Sequence, residues 1–186
     1  GTNITLKDRQ DFLERNGCTG WTEDVLDELL GYTCGFVEIG AGNGQWARVL
    51  SDRYISRKKF DFVLAYDNRS QLPLDERVYH KKTKPAHDYF FKEVRPLLSD
   101  NTSIPHTLQQ WVCRNRVLLL VYPSPNDMAY QALKAYDELN GHTVVYVGEG
   151  RGGANANDDF FDHLETHGWI LLKIMDVKSF GTTGYE

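Results

Sequence analysis

The chain has 186 residues, 41% hydrophobic and 25% charged, with 16 Gly against 6 Pro and a formal net charge of -5, a composition that excludes disordered, collagen-like and low-complexity chains. At about 150 residues per domain the length fits one domain that buries roughly 70% of its unfolded surface and needs no disulfide or metal to hold a core. The longest apolar run, Val117 to Tyr122, is far short of the roughly 20 residues that span a bilayer, and the negative charge disfavours a general nucleic-acid coat protein.

In chain order, Leu6 to Arg15 reads as a helix around Phe12 and Leu13, ended by Asn16-Gly17. The next helix runs from Glu23 to Leu30, with Thr22 as its N-cap, Glu23 and Asp24 suited to the positive helix start, Trp21 and Leu26 placed as a hydrophobic staple, and Gly31 as its stop. Phe36 to Ile39 is a short buried strand, followed by a glycine turn and a helix from Gln45 to about Tyr54. A second strand, Phe60 to Tyr66, closes on Asp67, and residues 68–88 read as a long polar loop with the basic cluster His80 to Lys84. Tyr89 to Val94 is the expected third strand and Thr107 to Arg114 a short helix.

Val117 to Val121, apolar at every residue, suits a central parallel strand covered on both faces, and Pro123-Ser124-Pro125 ends it. Asn126 then caps a helix reaching Gly141, Thr143 to Val147 forms a fifth strand, and Asn157 or Asp158 begins a helix through Phe160, Phe161 and Leu164. Trp169 to Val177 is the expected sixth strand. Alternating helices and buried strands without repeats give the α/β class, with N-terminal helices in residues 1–34 and a core over residues 36–177 of a single domain.

Cys18, Cys34 and Cys113 are scattered, form no CxxC pair and have no histidine at zinc spacing, which leads to an expectation of reduced thiols, no metal site and a cytoplasmic or nuclear location. The first residues lack the basic and apolar regions of a signal peptide. The six histidines show no nucleophile-base spacing, so hydrolase chemistry has no support.

A strand ending in Gly40-Ala41-Gly42-Asn43-Gly44 before a helix brings main-chain N–H groups to one point, where a ligand can approach. The position after Gly44 is Gln45, so the spacing departs from the GxGxxG of dinucleotide-binding turns, and no Gly-Lys-Ser/Thr of a Walker loop follows. Glu38, two residues before Gly40, disfavours a pyrophosphate and favours a ligand with a cationic head. A turn kept only for packing is the alternative.

The stretch Phe36 to Gly44 resembles motif I, ExGxGxG, of the class I S-adenosylmethionine-dependent methyltransferases. The resemblance runs to about Val177 and implies a three-layer sandwich around a mostly parallel, Rossmann-like sheet. It also implies a cofactor site at Glu38, Gly40, Ala41, Gly42, Asn43 and Gly44, with Asp67, 27 residues beyond Gly40, accepting from the ribose hydroxyls, and Asn68 beside it. An adenine contact falls near Val94 and Arg95 or at Ser99-Asp100-Asn101. The family's antiparallel seventh strand has no good counterpart after Val177, since Phe180 to Gly184 suits a strand poorly.

At the family's motif IV position stands Tyr122-Pro123-Ser124-Pro125, which keeps one proline of Asn/Asp-Pro-Pro-Tyr/Phe but lacks its amide or acid. Tyr122, which also borders the cofactor, and Ser124 are the catalytic candidates, with Pro123, Asn126, Glu149 and Arg151 facing the methyl acceptor. The expected function is methyl transfer to an unidentified acceptor, planar, nucleotide or RNA, for which the basic runs Arg57 to Lys59 and His80 to Lys84 offer phosphate contacts; as the bland alternative, they are solvated faces. The rival expectations are a methyltransferase-like binding module that has lost catalysis, or a partner subunit, and an NAD oxidoreductase of the same fold class.

Overall fold

The structure, a computed structural model, describes residues 3–54, 60–70, 72, 88–97 and 102–180. Helix α1 (Leu6–Asn16) begins where Thr5 Oγ1 accepts the Asp8 N–H at 3.2 Å and Asp8 Oδ2 accepts the Thr5 N–H at 2.8 Å, so two otherwise orphaned donors are satisfied reciprocally. Helix α2 (Glu23–Leu30) starts on the predicted cap, with the Val25 N–H donating to Thr22 Oγ1 at 3.1 Å. Strand β1 (Phe36–Ile39) leads through the glycine turn into α3 (Gln45–Arg53), and β2 (Val63–Asp67) starts three residues later than the apolar run suggested.

After β3 (Arg95–Pro96) come α4 (Ser103–Gln109), a single 3₁₀ turn (Trp111–Cys113), β4 (Val117–Val121), α5 (Met128–Glu138), β5 (Val144–Val147) and α6 (Asp158–Thr166). The five strands form one all-parallel sheet in the order β3-β2-β1-β4-β5. Alternate residues of β1 feed different cores, as a period of two requires. Val37 and Ile39 pack with Leu118, Leu120, Leu133 and Phe160 on the α4, α5 and α6 face. Phe36 packs with Leu26, Trp46, Leu50 and Leu119 on the α2 and α3 face. The result is an α/β/α arrangement of Rossmann-like form. Among the described residues no helix is long and apolar enough to cross a membrane.

Three elements differ from the sequence reading. Tyr89 to Val94 is not a strand: Phe90 packs against Leu13, and the Phe91 N–H donates to the Asn43 carbonyl at 3.0 Å, so this stretch buries its apolar residues as a loop over α1 and the glycine turn. The third strand is Arg95–Pro96, an edge position where a missing proline N–H costs no ladder bond. The helix expected at Thr107 to Arg114 begins earlier, at Ser103, and ends at Gln109, with Trp111 left exposed on the 3₁₀ turn.

Trp169 to Val177 forms no sixth strand. Its ladder neighbour is missing among the described residues, and Ile170, Leu171, Leu172 and Ile174 are 75–84% exposed. The segment is anchored at its ends: Trp169 stacks on Tyr136, and Lys178 makes an isolated antiparallel bridge with Gly20. Between them Lys173 Nζ reaches Glu28 Oε2 at 2.8 Å. The described residues likewise hold no seventh strand, while the basic clusters at 57–59 and 80–84 and the adenine candidates at 99–101 lie outside them.

The turn after α5 depends on one glycine. A Cβ on Gly141 would stand 2.3 Å from two atoms of the Tyr136 ring, whose hydroxyl donates to the Arg116 carbonyl and accepts the His142 and Thr143 N–H groups. The ring is fixed at its far end and cannot swing aside. Gly141→Ala is therefore expected to destabilise the chain by about 1–3 kcal/mol through overpacking, read as a lowered urea midpoint at unchanged slope; an unchanged midpoint would show that the ring yields.

Candidate functional site

The turn between β1 and α3 uses its own donors. The Gly40 and Ala41 N–H groups both donate to the Tyr66 carbonyl, at 2.9 and 3.0 Å, the Gly42 N–H donates to Asp67 Oδ2 at 2.8 Å, and the Gly44 N–H to the Ala41 carbonyl at 2.9 Å. The bare N–H cluster expected from the sequence is thus committed within the protein at these four positions. This turn is a poor phosphate cradle. The close neighbours of Gly44, left-handed at φ 80°, are Phe91 Cβ and Val94 Cγ2, at 2.5 and 2.9 Å from where a Cβ would stand. Asn43 is buried beneath the turn.

Two carboxyl groups stand on one face of the sheet below it. Glu38 lies in register between Ala65 of β2 and Leu119 of β4, is 1% exposed, and its Oε2 is buried with no hydrogen-bond partner. Burial among apolar neighbours pushes its pKa up to about 8, and the Asp67 carboxylate adds to the shift. Asp67 ends β2 as predicted. Burial raises it as well, against the lowering effect of the N–H groups of Gly42 and Arg69 that donate to its two oxygens. With Glu38 protonated and neutral, its unpartnered oxygen offers a hydrogen bond to a polar group of a ligand, and the attraction for a cation and repulsion of an anion fall to the Asp67 carboxylate beside it.

The exposed Asn68 is engaged in its own turn, its Oδ1 accepting from the Ser70 N–H and hydroxyl at 3.0 and 2.7 Å. The structure therefore brings Glu38, Asp67 and Gly42 together and leaves Asn68 serving the chain that follows.

The second group of candidates lies where β4 and β5 end. Tyr122 is left-handed at φ 45°, an uncommon conformation for a bulky side chain, and its N–H donates to the Val147 carbonyl at 2.6 Å. Asn155, 2% exposed and not singled out in the sequence, joins the two loops: its Oδ1 accepts the Glu149 N–H at 2.9 Å and its Nδ2 donates to the Pro123 carbonyl at 3.0 Å. The Ala156 N–H donates to the same carbonyl at 3.3 Å, and the Tyr146 hydroxyl donates to the Glu149 carbonyl. The loop that follows β5, Gly148 to Gly153, is consequently braced. In the sequence Asn155 stands between Ala154 and Ala156, two residues before the helix-capping Asn157, a pattern that also describes any turn.

Glu149 Oε2 accepts the Ala154 N–H at 2.5 Å while its Oε1 is buried and unpartnered. Asn126 is exposed and accepts the Met128 N–H at 3.1 Å, but the N-cap of α5 is Asp127, one residue later than the sequence suggested, so Asn126 forms a local turn ahead of the helix rather than its cap. Arg151 is held elsewhere, its guanidinium on Asp162 and Glu165 of α6 at 2.8 and 3.1 Å. Ser124 is half-buried in the loop after Pro123. Among the described residues no group of three or more metal-ligating side chains occurs.

Glu38 keeps its proton in the folded chain up to about pH 8 but loses it near 4.5 when unfolded. Between those values the folded state binds the extra proton, so its stability falls as the pH rises. Glu38→Gln is expected to flatten that fall and, at about pH 8, to exceed the parent by on the order of 3–5 kcal/mol, the two converging in acid. Urea titrations across the range read it, and a parent of level stability refutes the protonation assigned to Glu38. Comparison of the chain with protein-family models, with curated proteins and with solved structures finds no match.

Proposed function

We propose that the chain is an S-adenosylmethionine-dependent methyltransferase whose cofactor site is the glycine turn with Glu38 and Asp67. The observation that carries this reading is the buried Glu38 carboxyl with its unpartnered Oε2, set beneath a turn whose N–H groups are largely bonded within the protein. Such a site suits a ligand with cationic centres and hydroxyls better than a pyrophosphate. When bound, the cofactor supplies an activated methyl group on a sulfonium, and transfer is an in-line displacement in which placing the acceptor contributes most of the rate. Asp67 Oδ1 and Oδ2 each retain a lone pair for ribose hydroxyls beyond the N–H groups they already accept. Tyr122 and Ser124, at the end of β4, are the groups proposed to orient the acceptor.

A second reading, a methyltransferase-like binding module without catalysis, draws support from the Pro123 carbonyl. In the family's motif IV a main-chain carbonyl helps to hold a planar amine. Here that oxygen already accepts from Asn155 Nδ2 and the Ala156 N–H, which leaves it poorly placed to accept from a substrate amine.

Calorimetric titration separates these readings from each other and from the dinucleotide alternative. S-adenosylmethionine is expected to bind the parent, and Asp67→Ala or Gly42→Asp to weaken it by about 10–100-fold or more, as loss of charge-assisted hydrogen bonds requires. Unchanged affinity in both variants overturns the site, and NADH binding without S-adenosylmethionine binding overturns the cofactor. Tight binding with no methyl transfer to any cell-extract fraction selects the second reading.

A further inference from the structure

At the opposite, amino edge of the sheet is a cavity of about 170 Å³, reached from the turns that precede β1, β4 and β5. A cavity of roughly 150 Å³ accommodates benzene, so a ring-sized ligand fits the volume. Its walls combine Leu108, Val117 and Leu139 with Arg114, Arg116 and His142, and among the described residues no acidic side chain lines it although the chain carries 26 Asp and Glu against 21 Lys and Arg.

Arg116 makes the cavity chemically specific. It is 8% exposed; its Nε donates to the Val112 carbonyl at 2.8 Å and its Nη1 to the Asp61 and Phe36 carbonyls at 2.6 and 3.3 Å. Phe60 covers the guanidinium at 4.9 Å. Every acceptor is a neutral carbonyl. Among the described residues no carboxylate pairs with Arg116 and nothing accepts from its Nη2. The Asp61 carboxylate acts on the guanidinium only from beyond ion-pair distance, so the buried charge, held at contact by dipoles, is incompletely compensated. The end of α5 faces the cavity with an opposing partial charge of about half a unit, which two guanidinium groups outweigh.

We infer that this cavity binds a small carboxylate with an apolar ring or chain, its carboxylate between Arg114 and Arg116 and its body against Leu108, Val117 and Leu139. The pocket is independent of the glycine turn and stands or falls apart from the function proposed for it.

Cys34 reports on occupancy, because it is exposed and lines the cavity, whereas Cys113 is buried and Cys18 lies elsewhere. The rate at which uncharged iodoacetamide alkylates Cys34 is followed by peptide mass spectrometry as benzoate is added, with Cys18 as the internal reference. Benzoate at ten times its dissociation constant is expected to slow Cys34 about tenfold and leave Cys18 unchanged. Arg114→Ala, an exposed position whose removal spares the Arg116 carbonyl contacts, is expected to weaken that protection about tenfold, the loss of one charged hydrogen bond. Benzyl alcohol should protect far less. Unchanged Cys34 alkylation up to the solubility limit of benzoate overturns the inference. Equal protection by inorganic phosphate overturns the apolar half of it, and equal protection by benzyl alcohol overturns the anionic half.

Discussion

One guanidinium fixes the amino edge of the sheet. Arg116, immediately before β4, donates to carbonyls of β1, of the residue leading into β2 and of the 3₁₀ turn before β4. Parallel strands cannot be joined by tight hairpins, so their starting points must be aligned by contacts of this kind. With that edge set, the register Phe36 to Val63 and Phe36 to Val117 follows, and the strands deliver Ile39, Tyr66 and Leu120 to a common level at the other end. There the Tyr66 carbonyl and the Asp67 carboxylate take up the N–H groups of Gly40, Ala41 and Gly42. The glycine turn is thus held by β2, and any ligand above it meets acids rather than donors.

The two ends of the sheet therefore carry opposite chemistry. The carboxyl edge gathers Glu38, Asp67 and Glu149, two of them with an unpartnered buried oxygen, and the amino edge gathers Arg114 and Arg116. A net charge of -5 conceals this separation, since it sums over both. Charge segregated along the strand direction discriminates between ligands by sign at each end, which bulk composition cannot do.

Much of this was legible in the residues. Short, mostly apolar runs located β1, β2, β4 and β5, and the side chains of Thr22 and Asn157 marked the starts of α2 and α6 because a cap is a local contact. The carboxyls at Glu38 and Asp67 were legible in type and place. What failed depended on distant neighbours. Phe90 and Val94 are buried as the apolar pattern requires, yet by packing against α1 and Gly44 rather than in a ladder. Trp169 to Val177 has strand composition and, among the described residues, no strand beside it. Asn155 gave no signal because its two partners, Pro123 and Glu149, meet only once β4 and β5 are adjacent.

The sheet ends differently on its two sides. β3 is two residues long and consists of an arginine and a proline, features that resist pairing with a further strand. β5 is Val-Val-Tyr-Val, uncharged and paired on one side only among the described residues, near an unpaired segment that presents Ile170, Leu171, Leu172 and Ile174 to water. Among the described residues the two edges therefore differ in how they would meet another strand: an arginine and a proline oppose pairing at β3, and β5 carries neither.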